Sequence, residues 1–265
     1  MSIRIEHMKY AYPKAKEPII KDISFEVPDG KVTVIIGANG VGKSTLIKNM
    51  LGIFKGEGEA WFDGKNRKSM SHGELTTLVG YMTQENALLT SLSVLNVVLL
   101  GRLGTLNIKV QDEDIDKAMA MLHLLHLEPY VERPFYALSG GQRRMVDVAQ
   151  TLVRDPKILI MDEPTANLDM VNEMQVLELV KAYTHKRGTA TLLTLHDLNM
   201  AARYADHMIL LKDGCVYREG TPCEIITEEN IREAYGVNVH VHTSSRTGTP
   251  MLLPLTPVVE TEYLF

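Results

Sequence analysis

Nine residues, Gly37-Ala38-Asn39-Gly40-Val41-Gly42-Lys43-Ser44-Thr45, lie between an apolar run ending at Ile36 and the helix-forming Leu46-Ile47-Lys48. The order predicts a strand, a glycine-rich turn and a helix start in immediate succession. Glycines allow positive φ, so successive backbone N–H groups can curl toward one point, and the helix N-terminus adds positive potential there. Lys43 would bridge terminal phosphates as a mobile point charge, and the Ser44 hydroxyl can ligate a magnesium ion shared with the nucleotide. An ordinary glycine-rich turn is the competing reading. The G-x-x-x-x-G-K-S spacing in its strand–turn–helix context outweighs it.

The rest of the chain sets the frame. With 265 residues it can bury a substantial core as one large domain or two closely joined subdomains. A formal charge of −5 argues against a nucleic-acid coat. Cys215 and Cys223 form neither a metal-ligand spacing nor a disulfide framework, as expected in a reducing compartment. The longest apolar stretch, Ala87 to Leu100, is interrupted by Thr90, Ser91, Ser93 and Asn96, so no membrane span is expected. The first residues alternate like a strand and do not resemble an export leader.

Ser2 to Tyr10, Ile19 to Glu26 and Gly58 to Phe62 read as strands of an antiparallel lobe beside the phosphate loop. Lys157 to Met161, Thr189 to Leu195 and Met208 to Leu211 are short apolar runs alternating with helices, the pattern of a buried parallel sheet. The core is therefore α/β. Helical spacing in Leu92, Leu95 and Leu99, and again in Ile115, Met119 and Leu122, predicts an inserted helical subdomain at about residues 86–155. Asp213-Gly214 predicts a hairpin turn. Beyond Val237, Pro250, Pro254 and Pro257 predict an irregular or edge-strand appendage over 238–265, set apart from a main domain over 1–237.

Two further motifs bear on chemistry. Leu138-Ser139-Gly140-Gly141 opens a helix through Gln142, and its amides could also hold phosphate, although Ser-Gly-Gly is more often a simple cap. Ile158 to Glu163 places Asp162 and Glu163 at the carboxyl end of a buried strand, where ligands of open α/β sheets gather. There Asp162 would hold the magnesium ion and Glu163 would polarise the water attacking a γ-phosphate.

With these three motifs in order, the chain resembles the ATP-binding subunits of ABC transporters over nearly its full length. Gly37 to Thr45 matches the Walker A loop, Leu138 to Gln142 the signature, and Ile158 to Glu163 Walker B. Gln84 stands at the Q-loop, His196 at the switch histidine, and Ala166-Asn167-Leu168-Asp169 at the D-loop. The resemblance implies a P-loop NTPase fold that hydrolyses ATP with Mg2+. Catalysis would fall to Glu163, His196 and Lys43. Nucleotide contacts would come from Tyr12 against adenine, from Gly37, Ala38, Asn39, Gly40, Val41, Gly42, Lys43, Ser44 and Thr45, and from Gln84. Ser44, Gln84 and Asp162 would face the metal. It also implies a head-to-tail homodimer, in which Ser139, Gly140, Gly141, Gln142 and Asp169 of one copy close on ATP held by the other.

Several machines use such cassettes, so the load is a separate question. Gly101-Arg102, His196 to Asp206, Glu219-Gly220-Thr221-Pro222 and Ile231 to Val237 resemble the importer branch serving iron-siderophore, haem or cobalamin uptake. That implies a peripheral protein at the cytoplasmic face of the membrane, docked on a permease dimer and served indirectly by a substrate-binding protein, with no nucleic-acid partner. Apolar residues from Leu88 to Leu100 are the expected docking surface. An exporter or a soluble assembly stays the alternative. The chain departs from the family at Leu103-Gly104-Thr105-Leu106, where proline and histidine are usual, and at Met145 and Gln150, where arginine is usual. His240 with His242, and His123 with His126, have spacings that would permit a shared metal but read first as solvated surface.

Overall fold

The computed structural model describes residues 2–84, 90–102 and 110–258. The chain opens with β1 (Ile3–Tyr10), β2 (Ile20–Val27), β3 (Val32–Ile36), α1 (Lys43–Met50), β4 (Glu57–Phe62) and β5 (Lys65–Asn66). Next come α2 (His72–Leu78), β6 (Val79–Met82), α3 (Val94–Leu100), α4 (Asp112–Leu124) and α5 (Gly140–Leu152). Strands and helices then alternate through β7 (Ile158–Asp162), α6 (Met170–Arg187), β8 (Ala190–Thr194), α7 (Leu198–Tyr204), β9 (His207–Lys212) and β10 (Cys215–Gly220). The last elements are α8 (Pro222–Ile225), α9 (Glu228–Tyr235), β11 (Val237–Thr243) and β12 (Pro250–Pro257).

Among the described residues ten strands form one sheet, in the order β5-β4-β1-β2-β10-β9-β3-β8-β7-β6. β3 lies parallel to β8 and β9, and β7 lies parallel to β8 and β6. At the other end β1 is antiparallel to β2 and β4. The halves join through β10, antiparallel to β9 and parallel to β2 at the pair Cys215 and Asp22. The α/β core and the antiparallel lobe are thus two ends of one sheet.

Period-two alternation divides the parallel strands between two cores. Ile158 and Ile160 of β7 pack with Leu46 and Ile47 of α1 and with Ile3 and Ile5 of β1. Leu159 and Met161 face the other way, into Val146 and Val148 of α5 and Val176 and Val180 of α6. Each such side chain, fully buried, contributes roughly 1.5–3 kcal/mol. The strand ends carrying the phosphate loop and the acidic pair are consequently held from both faces.

In the helical region the expected stripe is buried at Leu99 and Leu122 and partly buried at Leu95 and Met119. Its first members, Leu92 and Ile115, are 39% and 37% exposed, while Val94, Val97 and Val98 of α3 and Ala118 of α4 are also buried. Leu92 precedes α3 and is fixed by its carbonyl, which accepts the N–H of Phe135. In α4 the buried face includes Asp114, whose carboxylate receives Nε and Nη2 of Arg102 at 2.8 Å and the N–H of Gln111 at 3.2 Å. Of the expected docking stretch, Leu88 and Leu89 lie outside the described residues, as do Leu103 to Leu106.

Beyond Val237 the chain forms an antiparallel hairpin of β11 and β12, separate from the main sheet. A two-stranded ribbon leaves each strand an outward edge, so the missing N–H groups of Pro250, Pro254 and Pro257 are tolerated. Asn199 of α7 clips the hairpin down, accepting the Leu252 N–H at 2.7 Å and donating to its carbonyl at 3.2 Å. No helix among the described residues is long and apolar enough to cross a membrane.

Candidate active site

β3 ends in the glycine-rich turn, which needs its glycines. Gly37 has φ +152°, and a Cβ there would lie 2.7 Å from the Leu211 carbonyl oxygen; at Gly42, φ +108°, it would lie 2.7 Å from Cδ1 of Ile20. Gly42 caps α1 without a side-chain hydrogen bond, so the first-turn amides remain available to a ligand. Lys43 folds back over the turn, with Nζ 2.7 Å from the Gly37 carbonyl oxygen and 3.3 Å from that of Ala38. Burial draws its pKa below the ordinary lysine value, opposed by the charges of Glu163 and Asp162. From beneath, the Gly37 N–H reaches the buried Tyr235 phenol of α9.

A cavity of about 430 Å3 lies over this turn. Asn39, Gly40, Gly42, Lys43, Ser44 and Thr45 line one side; Gln84, Glu163 and His196 line the other, and Tyr12 stands at the rim. Tyr12 is tied by a 2.8 Å hydrogen bond between its hydroxyl and Oγ1 of Thr45. It meets Tyr10 and Phe54 edge-on, at centroid distances of 5.2 and 5.9 Å.

Glu163 is the hub of the far wall. Oε2 accepts from Nε2 of Gln84 at 2.7 Å, and Oε1 lies 2.6 Å from Nε2 of His196. The carboxylate is 9% exposed, whereas His196 is half exposed. Residue 163 also adopts φ +52°, an uncommon left-handed conformation for a side chain of this size. Its N–H donates to Oγ1 of Thr194 at 2.9 Å, and that hydroxyl donates to Oδ1 of Asp162 at 2.6 Å. Oδ2 of Asp162 is buried without a hydrogen-bond partner. A buried carboxylate oxygen costs free energy unless water or a cation reaches it, so Asp162, together with the Ser44 hydroxyl that lines the cavity, offers oxygen donors of the kind Mg2+ takes.

The signature residues lie elsewhere. Ser139 caps α5 in a reciprocal box with Gln142, Oγ accepting the Gln142 N–H at 3.2 Å and Oε1 of Gln142 accepting the Ser139 N–H at 3.0 Å. Gly140 belongs to a different cleft, shared with Phe135, Arg143 and Asn167. Asp169 caps α6, with Oδ1 2.9 Å from the Asn172 N–H. Within one chain, then, Ser139 to Gln142 and Asp169 do not line the phosphate-loop cavity.

Two residues outside the motifs complete the frame. Thr194 is marked in sequence only as one of two hydroxyls, with Thr191, in the otherwise apolar strand β8. Arg144 follows the signature and is 6% exposed; its guanidinium reaches the carbonyls of Asp162, Glu163 and Pro164. A long cation on the buried face of a helix is the signal that could have found it.

A turn with this geometry, facing the Glu163 carboxylate across a cavity, suits a nucleoside triphosphate. The family model described as ABC transporter matches residues 20–166, more than half of the chain. The chain belongs to the ABC transporter family. As an ABC ATPase it binds and hydrolyses ATP. An uncharacterized ABC transporter ATP-binding protein of Methanocaldococcus jannaschii is 38% identical over 96% of this chain and 98% of its own. The iron(3+)-hydroxamate import ATP-binding protein FhuC of Bacillus subtilis is 34% identical over 89% and 88%. The hemin import ATP-binding protein HmuV of Bartonella henselae is 32% identical over 95% and 97%. Among solved structures, an inward-facing ABC transporter described as of metal-chelate type superimposes with TM-score 0.80 at 25% identity, covering 96% and 97%. A cassette dimer with bound ADP and phosphate gives TM-score 0.75 at 28% identity, covering 83% and 98%.

Proposed function

We propose that this cassette is the ATP-hydrolysing subunit of an importer of metal chelates, of the iron-siderophore, haem or cobalamin class. It works as a head-to-tail homodimer under a separate permease dimer at the cytoplasmic face of the membrane, with a substrate-binding protein delivering cargo. The import reading is supported by relatives named for iron-hydroxamate and hemin import, similar along nearly their whole length. The main domain is taken as 1–237, with helices at about 86–155 facing the permease and 238–265 as an appendage.

The observation that carries the mechanism is Glu163 held between Gln84 and His196 opposite Lys43. The amides from Gly40 to Thr45 bind the β- and γ-phosphates, with Gly37, Ala38 and Asn39 shaping the turn, and Lys43 leaves the Gly37 carbonyl to bridge the phosphates. Tyr12 offers its ring to adenine. Glu163, freed from its hydrogen bonds by the entering triphosphate, accepts the proton of the attacking water, and His196 steadies the γ-phosphate. Ser44, Asp162 and Gln84 would hold Mg2+, which neutralises developing phosphate charge when bound. Ser139, Gly140, Gly141, Gln142 and Asp169 of the second copy close the other side. That assignment fits their remoteness from this chain's own cavity, and the homodimer follows from it.

Glu163→Gln is expected to keep ATP binding while turnover falls by about 10² to 10⁴, the value of a general base. Hydrolysis at the wild-type rate would remove Glu163 from the mechanism. Import is tested by co-expression with a permease: membrane association and ATPase stimulation by a binding protein are expected. Purification as a soluble complex with nucleic acid would overturn it.

A further inference from the structure

Arg144 is a buried cation, with Asp147 of its own helix as a charge acting on it, that donates to a set of backbone carbonyls. Nε donates to the Pro164 carbonyl at 3.3 Å, and Nη1 donates to those of Thr83 and Gln84 at 2.8 and 3.1 Å. Nη2 donates to the Asp162 carbonyl at 2.8 Å and to that of Glu163. A guanidinium has five N–H groups in a fixed fork, and here five carbonyls receive them. The acceptors come from two segments far apart in sequence, the end of β6 with Gln84 and the turn after β7, and the donor comes from α5.

The turn held in this way is the strained one. A left-handed φ is strained on a residue such as glutamate and persists only where its surroundings over-determine it. At Glu163 the N–H is fixed by Thr194, and the carbonyl accepts from Arg144 and from the Ala166 N–H within the turn. Arg144 also lies one helical turn from Gly140, on the helix that Ser139 caps. A rigid helix cannot shift its N-terminus without shifting that fork.

We propose that Arg144 is the positioning residue of ATP hydrolysis: it locks the Glu163 turn and the Gln84 segment to the signature helix, so that seating this helix on a nucleotide sets the aim of the Glu163 carboxylate. Arg144 touches no reacting atom and acts through Glu163. The proposal rests on Glu163 serving as the base, and Glu163→Gln measured alongside separates failure of that premise from failure of the proposal.

The test uses the full-length chain, with phosphate release for turnover, a fluorescent ATP analogue for affinity, and thermal melting for fold. Misplacing a reacting group by an ångström costs up to about 100-fold. Arg144→Met is therefore expected to lower kcat at least about tenfold while KM for ATP moves less than about threefold, because the phosphate loop is untouched. Arg144→Lys, with three donors and no fork, should fall between, at unchanged KM. In the double variant Glu163→Gln with Arg144→Met, turnover should be no slower than in Glu163→Gln alone, because the arginine has nothing left to aim. A folded Arg144→Met protein with wild-type kcat overturns the proposal while leaving Glu163 in place. So do losses that multiply in the double variant, or a KM rising in step with the fall in kcat. If Arg144→Met does not fold, Arg144→Lys decides by the same criteria. If neither folds, the arginine is a structural post and the proposal fails.

Discussion

Tyr81 illustrates how burial without a partner shapes one residue. Its hydroxyl is buried and makes no hydrogen bond, and burial, with the Asp162 charge adding to it, pushes the phenol up to about 12. An unsatisfied buried hydroxyl is costly, so Tyr81→Phe should be neutral or stabilising at pH 7, by up to about 1 kcal/mol in a denaturant titration. Its folded pKa lies above the ordinary 10. The associated stabilisation is therefore complete below pH 10 and is lost as the pH rises from 10 toward 12. Tyr81→Phe should flatten that decline, leaving the share of Tyr183, Tyr204 and Tyr235, whose burial also raises them. An unchanged alkaline slope would show that Tyr81 ionises freely in the folded state.

At the scale of elements, the signature helix and the C-terminal hairpin show contrasting attachment. α5 is amphipathic and buries Met145, Val146, Val148 and Ala149. Sequence placed that helix and its capping serine correctly, because capping and periodicity are local. Met145, where the family usually has arginine, is simply core, and the arginine that does the tying stands one position earlier. The hairpin is held at β12 by Asn199 and at β11 by Glu228, whose carboxylate accepts the Val241 N–H at 3.1 Å. Asn199→Ala removes both hydrogen bonds to Leu252, at about 1–3 kcal/mol for an abandoned buried partner. Limited proteolysis should then cut at the β11–β12 turn well before the core melts. Equal protection in variant and wild type would mean that Glu228 and packing seat the hairpin without Asn199.

Across the whole molecule, the separation of two helix starts is the feature on which the proposed dimer rests. α1 presents uncapped amides at the glycine-rich turn, and α5 presents Gly140 at another cleft. In the proposed arrangement one triphosphate joins the first start to the second start of another copy. Nucleotide would then be part of the interface, and its cleavage would loosen the pair. Glu163→Gln protein is accordingly expected to run as a dimer with ATP and as a monomer without it, by light scattering after size exclusion. A monomer at saturating ATP would refute the shared-site arrangement for the isolated chain.

The phosphate loop, the acidic pair, the order of motifs and the alternation of buried strands with helices were legible in the sequence, because each depends on neighbours within a few residues. What tertiary structure alone decided depends on distant partners. Leu92 is partly exposed before α3, where its carbonyl accepts the Phe135 N–H, and Ile115 is partly exposed on α4, whose buried face carries the Arg102–Asp114 pair. The proline-bearing end forms a hairpin by its own ladder and docks through Asn199 and Glu228. Glu163 holds its strained conformation with its N–H on Thr194 and its carbonyl shared between Arg144, from elsewhere in the chain, and the local Ala166 N–H. A motif can announce which groups are present, but their aim is a property of contacts between segments whose meeting no local pattern encodes.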